Sequence, residues 1–455
     1  MEEKKTLSTR NKGLIAAGAA ALILLACLLY LAFGGSNPPA DYTGLWEDHD
    51  KSYIYVEKGE KAADYTGAVT GVVDKTENTY YVNKGEVDLS YTGLGASENG
   101  WVYFTKGVRD DKFTGFAEAA DTFWYWVKDG AVDLTYTGAQ EGTIMGDTSW
   151  WCVKDGVVDF TQDGPVITKK GVWYFKGGKL DTSYSGIKKL EDTWYYFTEG
   201  RQDKKYVGYA TNEFGIWYIQ NGVVDFDYNG KVNINGRDYT VTDGKVGNGK
   251  TVYLTYDDGP GIYTEDLLKI LAHHKVKATF FVTGFFKKNL NCLELEAKAG
   301  HTVAVHTYSH DYGKIYKSDK AYWDDFEQME QTIEQHTGKR TNLFRFPGGS
   351  SNGVSRKYKE GIMTDLTRQA EEKGLVYFDW NVLSGDSGNT KDSDKIYKNI
   401  VNGCKQHTHN VVLCHDIHDF TVGAMDKTIA KLLKQGYVLL PLDENSPTCH
   451  QHVNN

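Results

Sequence analysis

The amino-acid sequence predicts one transmembrane helix, then an all-β solenoid of repeated hairpins, then an α/β domain built as an incomplete (β/α)7 barrel. Three observations support this fold class. An uncharged apolar run lies near the N-terminus, one phrase recurs every 22 to 26 residues, and seven apolar strand patterns alternate with six amphipathic helical patterns. The net charge of −10 argues against a nucleic-acid partner.

The apolar run covers residues 13–33. At a helical rise of about 1.5 Å per residue, it spans roughly the 30 Å hydrocarbon core of a bilayer. Four basic residues precede it: Lys4, Lys5, Arg10 and Lys12. By the positive-inside rule, residues 1–12 form a cytoplasmic tail and the rest of the chain is exported. A cleaved signal peptide is the alternative, but the run is longer than the usual core of such a peptide.

Residues 41–247 form the predicted solenoid. Its phrase combines an aromatic pair, a Lys-Gly or Asp-Gly turn, Val-Asp and Tyr-Thr-Gly, as in WYWVKDGAVDLTYTG at 124–138. One hairpin cannot bury its own apolar face, so we expect neighbouring hairpins to stack. The aromatic residues have two interpretations: they form the core between repeats, or they line shallow pockets for sugar rings or a quaternary ammonium. The polar, glycine-rich residues 235–250 are predicted to connect the array to the next domain.

Residues 248–455 form the predicted barrel domain. The strand patterns are TVYLTY, ATFFVTG, HTVAVHTYSH, NLFRFPGG, LVYFDWNV, NVVLCHDI and YVLLPLD. Amphipathic helical patterns separate them, and Gly300, Gly338, Gly374 and Gly436 mark helix ends. Because short strands alternate with helices, a parallel barrel with helices outside is the simplest arrangement.

Polar residues stand at or just beyond the C-terminal ends of these strands: Asp257, Asp258, His306, His310, Arg345, Asp379 and His415. In barrels of this kind that face carries the active site. A solvated turn could explain the adjacent Asp257 and Asp258 alone, but it does not explain five loops with such groups at one rim. Two histidines with a carboxylate suit hydrolytic zinc, and the same ligand set suits non-haem iron.

Five motifs carry a resemblance to a known family: TYDDGP, HTYSH, RFPGGSS, FDW and LCHD. Over residues 248 to 445 the sequence resembles the polysaccharide deacetylases of the NodB-homology type, carbohydrate esterase family 4. The resemblance implies an incomplete barrel and one divalent metal ion held by Asp258, His306 and His310. Zinc is the expected ion, with cobalt, nickel, manganese or iron as alternatives.

The resemblance also implies the catalytic roles. Asp257 is the general base that takes a proton from the attacking water, and Arg345 orients it. His415 is the general acid that protonates the departing amine. Asp379 is expected to form a hydrogen bond with the His415 imidazole and to raise its pKa.

The resemblance assigns four further residues to substrate binding. The backbone N–H of Gly348, just after Pro347, is expected to stabilise the oxyanion. Trp380 and Leu413 are expected to form an apolar wall around the acetyl methyl group, with an ordinary core role as the alternative.

The repeats resemble the cell-wall-binding repeats of Gram-positive surface proteins, which are distantly related to choline-binding repeats. An adjacent Gly-Trp pair occurs only once among the repeats of this sequence, at Gly100-Trp101, so the resemblance extends to wall attachment or spacing; a purely structural stalk is the alternative. We therefore expect a membrane-anchored extracellular enzyme that removes N-acetyl groups from cell-wall glycan, namely N-acetylglucosamine of peptidoglycan. Two alternatives stay open: an O-deacetylase of acetylated xylan, and a non-catalytic wall-binding protein.

Overall fold

The computed structural model describes residues 37–455, which fall into two compact units. The described part of the first unit covers residues 37–181, and the second unit covers residues 182–455. Among the described residues, no helix is both long and apolar enough to cross a membrane. The predicted tail and anchor, residues 1–12 and 13–33, lie outside the described residues.

Six repeats form the first unit, and each contributes two longer strands followed by a two-residue strand. In chain order these strands are β1 Gly44–Glu47, β2 Tyr53–Glu57, β3 Glu60–Lys61, β4 Gly67–Val73, β5 Thr76–Asn83, β6 Glu86–Val87, β7 Gly93–Ser97, β8 Gly100–Thr105, β9 Val108–Arg109, β10 Gly115–Glu118, β11 Trp124–Lys128, β12 Ala131–Val132, β13 Gly138–Ile144, β14 Asp147–Lys154, β15 Val157–Val158, β16 Gly164–Thr168, β17 Gly171–Lys176 and β18 Lys179–Leu180.

The Asp-Gly turn of the repeat joins the second strand to the short third strand. In the repeat that begins at Gly115, the turn residues Asp129 and Gly130 have φ angles of 50° and 73°. Two successive positive φ angles are typical of the type I′ hairpin turn, which favours Asp or Asn followed by Gly. The predicted hairpin turn is therefore present, but it closes this minor hairpin rather than the one between the two longer strands.

Successive repeats are joined by backbone pairing and by small apolar cores. Ile54 of the first repeat pairs with Glu86 of the second in an antiparallel bridge between β2 and β6. Leu45 of the first repeat is buried in one cluster with Val73 and Val82 of the second. The prediction that each hairpin needs its neighbour to cover its apolar face is confirmed within this unit.

The tyrosine of the Tyr-Thr-Gly phrase has an internal structural role. The ring of Tyr91 stacks on the ring of Tyr81 with centroids 3.7 Å apart. Its hydroxyl donates to the carbonyl oxygen of Leu94 at 2.6 Å. This tyrosine therefore fastens the end of one repeat to the start of the next, which favours the core interpretation for its position in the phrase.

The second unit begins with three more repeats and continues into the barrel. The repeat strands are β19 Gly186–Leu190, β20 Thr193–Thr198, β21 Arg201–Gln202, β22 Gly208–Asn212, β23 Gly215–Gln220, β24 Val223–Val224, β25 Gly230–Ile234, β26 Arg237–Thr242 and β27 Lys245–Val246. The sequence predicted a connection at residues 235–250, but most of this stretch belongs to a ninth hairpin. Its polar residues alternate with the buried Tyr239 and Val241, which is the pattern of a half-buried strand.

The barrel strands are β28 Thr251–Asp257, β29 Thr279–Thr283, β30 Thr302–Thr307, β31 Leu343–Phe344, β32 Val376–Tyr377, β33 Val382–Leu383, β34 His409–His415 and β35 Val438–Leu439. The helices are α1 Thr264–His273, α2 Cys292–Lys298, α3 Tyr312–Ile315, α4 Asp319–Thr337, α5 Ile362–Glu372, α6 Ser393–Gly403 and α7 Asp419–Lys434. The 3₁₀ turns are Lys287–Asn289 and Val354–Lys357.

The barrel strands are all parallel, in the order β32-β31-β30-β29-β28-β34-β33, with β35 also beside β28. All seven predicted strand patterns lie in this sheet. The fifth pattern, LVYFDWNV, differs from the prediction because it forms two strands, one at each end of the order. Residues 378–381 connect these two ends, so the chain itself closes the ring where backbone pairing is missing.

The alternation of side chains along β28 decides the direction of Asp257. Val252, Leu254 and Tyr256 are buried in the cluster shared with the surrounding helices. Tyr253 belongs to the other apolar cluster, inside the barrel. Because side chains alternate with a period of two, Asp257 points into the barrel with Tyr253, at the C-terminal end of the strand.

The last repeats cover the opposite end of the barrel and form its floor. One apolar cluster joins seven repeat residues to barrel residues. The repeat members are Ile216, Tyr218, Val232, Ile234, Tyr239, Val241 and Val246, and the barrel members include Phe281, Leu343, Val411, Val438, Leu440 and Leu442. Arg237 also donates from Nη1 to the carbonyl oxygen of His274 at 3.0 Å. The floor therefore contributes to the stability of the barrel.

Candidate active site

Asp257 and Arg345 form a buried ion pair at the end of β28. Nη1 of Arg345 donates to Oδ1 of Asp257 at 2.7 Å. Arg345 is fully buried, and its other donors go to the carbonyl oxygens of Phe378 and Asp379, at 3.0 Å each. These carbonyls lie in the segment that closes the ring, where no backbone N–H of residues 37–455 donates to them. Arg345 thus holds Asp257 and the ring closure together, in agreement with its predicted orienting contact.

Asp258 faces a different set of partners from Asp257 because the chain turns sharply between them. Its φ angle is 72°, a left-handed conformation that Asp tolerates better than most residues. Oδ1 of Asp258 lies 3.5 Å from Nε2 of His306 and 3.2 Å from Nε2 of His310. The structure therefore brings together the three predicted metal ligands.

These three side chains fit a divalent metal ion. Oδ1 of Asp258 is buried and has no hydrogen-bond partner within residues 37–455. Nδ1 of His306 donates to the carbonyl oxygen of Arg345 at 2.8 Å, which leaves Nε2 free to bind a cation. Burial and the neighbouring His310 lower the pKa of His306, which favours the neutral imidazole that a metal requires. The ligand atoms lie within 4.8 Å of one another.

The partner of His415 is Asp386, so the prediction that assigned this role to Asp379 is wrong. Nδ1 of His415 donates to Oδ1 of Asp386 at 2.9 Å, and its backbone N–H donates to Oδ2 at 2.7 Å. Burial alone would lower the pKa of His415, but the hydrogen bond and charge of Asp386 raise it to about 9. The raised pKa favours the protonated imidazole, whose Nε2 lies 3.9 Å from Oδ2 of Asp258.

Asp379 binds a loop instead of the imidazole. Its carboxylate accepts from the backbone N–H of Ser350 and from the backbone N–H of Gln451, both at 2.8 Å. The hydroxyl of Ser350 donates to it as well. The physical reason is position: Asp379 lies on the crossing between β32 and β33, whereas Asp386 lies on the following loop, which folds back against β34.

The sequence contains a signal for Asp386 that motif matching missed. Asp386 stands in SGDSG, between two glycines just after a strand. Such a stretch is typical of a tight loop, and its single carboxylate lies at the same rim as the other polar residues. Asp386 is 3% exposed and also accepts from the hydroxyl of Thr421 at 2.9 Å, so its carboxylate is held in a fixed position beside His415.

A cavity of about 200 Å³ opens beside Asp258 and His310, two of the three predicted metal ligands. Its lining consists of Asp258, Thr283, Phe285, Phe286, His310 and Ile417. Phe285 is 67% exposed, and its place just after β29 is the one sequence feature that points to it. The predicted apolar wall residues Trp380 and Leu413 are not in this lining: Leu413 is buried in β34, and Trp380 is half-buried with its ring 5.6 Å from the Arg345 guanidinium.

Gly348 and Pro347 lie on the loop after β31. Gly348 is exposed with a φ angle of 80°, and an added Cβ would lie only 2.7 Å from the Tyr312 hydroxyl. The buried Pro347 attaches the loop to the core, because its carbonyl oxygen accepts from the hydroxyl of the buried Tyr316 at 2.7 Å. The Gly348 backbone is therefore held at the rim with room on its outer side.

Comparison with protein families gives two matches. Residues 244–362 match the polysaccharide deacetylase family. Three stretches of the solenoid match the choline-binding repeat, at residues 112–133, 141–159 and 205–225. The first match contains the aspartate pair, both histidines predicted to bind the metal, and Arg345.

Comparison with individual proteins agrees with the first match. The chain is 32% identical over 203 residues to a peptidoglycan-N-acetylglucosamine deacetylase of Bacillus cereus, covering 43% of this chain and 71% of that protein. It is 31% identical over 212 residues to the enzyme of that name from Listeria monocytogenes, covering 44% and 40%. The catalytic-domain crystal structure of a Eubacterium rectale deacetylase of the same name is 47% identical, with coverages of 45% and 94% and a TM-score of 0.45. The chain belongs to the polysaccharide deacetylase family and is a hydrolase that acts on amide bonds.

Proposed function

We propose that this protein removes the N-acetyl group from N-acetylglucosamine of peptidoglycan in a metal-dependent reaction. The observation that carries the proposal is one rim with three groups of residues: the Asp257–Arg345 pair, the Asp258–His306–His310 cluster and the His415–Asp386 pair. A base, a candidate metal site and a cationic acid are the groups that amide hydrolysis requires. The names of the relatives from Bacillus cereus and Listeria monocytogenes support this substrate.

Asp258, His306 and His310 would hold the divalent ion. Zinc fits two imidazoles and one carboxylate with open positions, and cobalt, nickel, manganese or iron are alternatives. When bound, such an ion polarises the acetyl carbonyl and makes water more acidic.

Asp257 takes a proton from the attacking water. Its bond from Arg345 uses Oδ1, so Oδ2 is the oxygen that accepts the proton. Oδ2 lies 3.7 Å from Nε2 of His306, next to the metal-ligand residues. The positive charge of Arg345, 2.7 Å from Asp257, offsets the repulsion between the neighbouring carboxylates of Asp257 and Asp258.

His415 supplies a proton to the amine as the C–N bond breaks. Its Nδ1 is occupied by Asp386, so Nε2 carries the proton that is transferred. The Gly348 N–H donates to the oxygen that becomes negative while water adds to the carbonyl carbon. The products are acetate and a free amine on the sugar, with one proton received by Asp257 and one given by His415.

Removal of the Asp386 charge should shift the alkaline limb of the pH–rate profile. The protonated imidazole is the active form, so activity is present below the pKa of His415 and is lost as pH rises through it. Because Asp386 raises this pKa to about 9, Asp386→Asn should move the alkaline limb of kcat/KM toward lower pH by more than about one unit. Asp394→Asn, an exposed carboxylate on α6, is the control; an unmoved limb in Asp386→Asn would refute His415 as the acid.

Acetate release by the full chain in detergent tests the proposed function. The substrates are peptidoglycan, N-acetylglucosamine oligomers and acetylated xylan, each before and after treatment with a chelator and again after addition of zinc. We expect release from the first two, loss on chelation and recovery with zinc. Release from xylan alone would establish the O-deacetylase alternative, and no release from any substrate would favour a non-catalytic wall-binding protein.

We further propose that residues 13–33 anchor the protein in the cell membrane of a Gram-positive-type cell. The catalytic domain then lies on the extracellular side of this membrane. The apolar run and preceding basic residues support the anchor, and the choline-binding-repeat matches support contact with the wall. Exposed aromatic residues such as Phe123 and Phe214, 56% and 61% exposed, could contact sugars. Protease added to intact cells should degrade the repeats; full protection of the chain would contradict this location.

A further inference from the structure

Residues 448–455, here called the strap segment, lie against the loops that carry Arg345, Gly348 and Asp379. The carbonyl oxygen of Thr448 accepts from the backbone N–H of Asp379 at 2.9 Å. The ring of His450 stacks on Tyr377 with centroids 3.7 Å apart, at an angle of 8°. The strap segment therefore contacts both the last residue of β32, Tyr377, and the segment that follows this strand.

Gln451 makes the central contacts of the strap segment. Its backbone N–H donates to Oδ2 of Asp379 at 2.8 Å. Its side-chain oxygen accepts from the hydroxyl of Ser351 at 2.6 Å, and its side-chain amide donates to the carbonyl oxygen of Trp380 at 3.1 Å. One residue thus ties the loop after β31 to the segment that closes the ring.

The groups that Gln451 holds connect directly to the proposed catalytic residues. The carbonyl oxygen of Asp379 accepts from Nη2 of Arg345, whose Nη1 binds Asp257. Gly348 lies two residues before Ser350, which donates twice to the Asp379 carboxylate. A shift of the loop would therefore move both the oxyanion donor and the arginine that orients the base.

The loop has little room to adjust without this support. A Cβ added at Gly349 would lie 2.9 Å from the Trp380 ring and 3.1 Å from Oδ1 of Asp379. Asp379 is fully buried, and its carboxylate is satisfied only by Ser350 and Gln451 among the described residues. Loss of either contact leaves a buried charge underpartnered, which favours a rearrangement of the loop.

We propose that Gln451 is a positioning residue for the deacetylation reaction. It touches no reacting atom; it fixes the 347–351 loop against Asp379 and Trp380, so that Gly348 and the Arg345–Asp257 pair keep their places. The inference rests on the proposed function, because it concerns the rate of that reaction. A positioning role predicts a lower kcat with a nearly unchanged KM and metal content.

The test compares two substitutions within the strap segment. Gln451→Ala keeps the backbone N–H bond to Asp379 and removes the side-chain bonds to Ser351 and Trp380. It should lower kcat for acetate release by about 10- to 100-fold, as small displacements of reacting groups do, with KM and bound zinc near wild type. Asn455→Ala is the matched control, because its side chain binds Gly361 and Ser355 instead. It should lower the Tm without lowering kcat. Gln451→Glu keeps the acceptor for Ser351 but places a carboxylate oxygen against the carbonyl oxygen of Trp380, and we expect a comparable fall in kcat.

The outcomes separate this inference from the proposed function. Wild-type kcat in both Gln451 variants, or an equal loss of kcat in Asn455→Ala, would overturn the positioning role alone. Should Gln451→Ala fail to fold, Gln451→Glu decides the question by the same comparison. Absence of acetate release by the wild-type protein on every substrate would overturn the proposed function, and this inference with it.

Discussion

Asp257→Asn should lower acetate release by about 10²- to 10⁴-fold while leaving the amount of bound metal near that of the wild-type protein. The substitution keeps the shape of the side chain and removes the base. It does not touch the cluster of Asp258, His306 and His310, so the ion should still bind. Metal content measured by mass spectrometry, beside kcat on an N-acetylglucosamine oligomer, checks both parts.

Comparison with Asp258→Asn distinguishes the loss of a metal ligand from the loss of a base. It replaces an anionic ligand by a weak neutral one at a position 3.2 Å from His310 and 3.5 Å from His306. We therefore expect both the metal affinity and the rate to fall. Asp324→Asn, an exposed carboxylate on α4, controls for the loss of one charge. Equal metal loss in Asp257→Asn and Asp258→Asn would show that both aspartates are ligands and that the base lies elsewhere.

A fragment of residues 248–455 should not form a stable fold and should show no cooperative unfolding transition. A fragment of residues 182–455 should fold and release acetate. The shorter fragment lacks the last repeats, which cover barrel residues such as Phe281, Leu343 and Val438. Exposing one such side chain costs about 1.5–3 kcal/mol. Several of them together match the whole stability of a domain, about 5–15 kcal/mol. Calorimetry of the two fragments measures the difference.

A point substitution tests the floor without removing any chain. Val241 is 1% exposed within the floor, so Val241→Asp should lower the Tm of the whole second unit. Val207→Asp, at a position 51% exposed in the same group of repeats, is the control and should change the Tm little. A 248–455 fragment as stable and active as the 182–455 fragment would show that the floor is dispensable.

The sequence predicted the positions of the candidate site residues best where one local rule was sufficient. Asp257, His306 and His415 each lie at the end of a parallel strand, and the C-terminal ends of such strands meet at one rim. The four-residue spacing also allowed His306 and His310 to face one carboxylate. The stacking of the repeats followed in the same way, from a hairpin too small to bury its own face.

The pairing of His415 could not be read from the sequence. Asp379 and Asp386 are seven residues apart, and both follow an apolar strand pattern. Their roles depend on how the chain divides that pattern into β32 and β33, which leaves Asp379 on the crossing and lets the next loop return to β34. The Asp386 bond to His415 is a contact between distant parts of the chain, so local periodicity carries no information about it.

By itself, the sequence determined that the hairpin repeats precede the barrel, and it determined the parallel strand patterns, the metal-ligand candidates and the place of Asp257 at a strand end, because each depends on neighbours along the chain. Only the tertiary structure decided that Asp386 holds His415, that Asp379 binds Ser350 and Gln451, and that the ninth hairpin belongs to the barrel floor. These features depend on side chains and surfaces that meet across many residues of sequence. The free energy of these contacts comes from burial and hydrogen bonding in the folded protein, and no local sequence pattern predicts it.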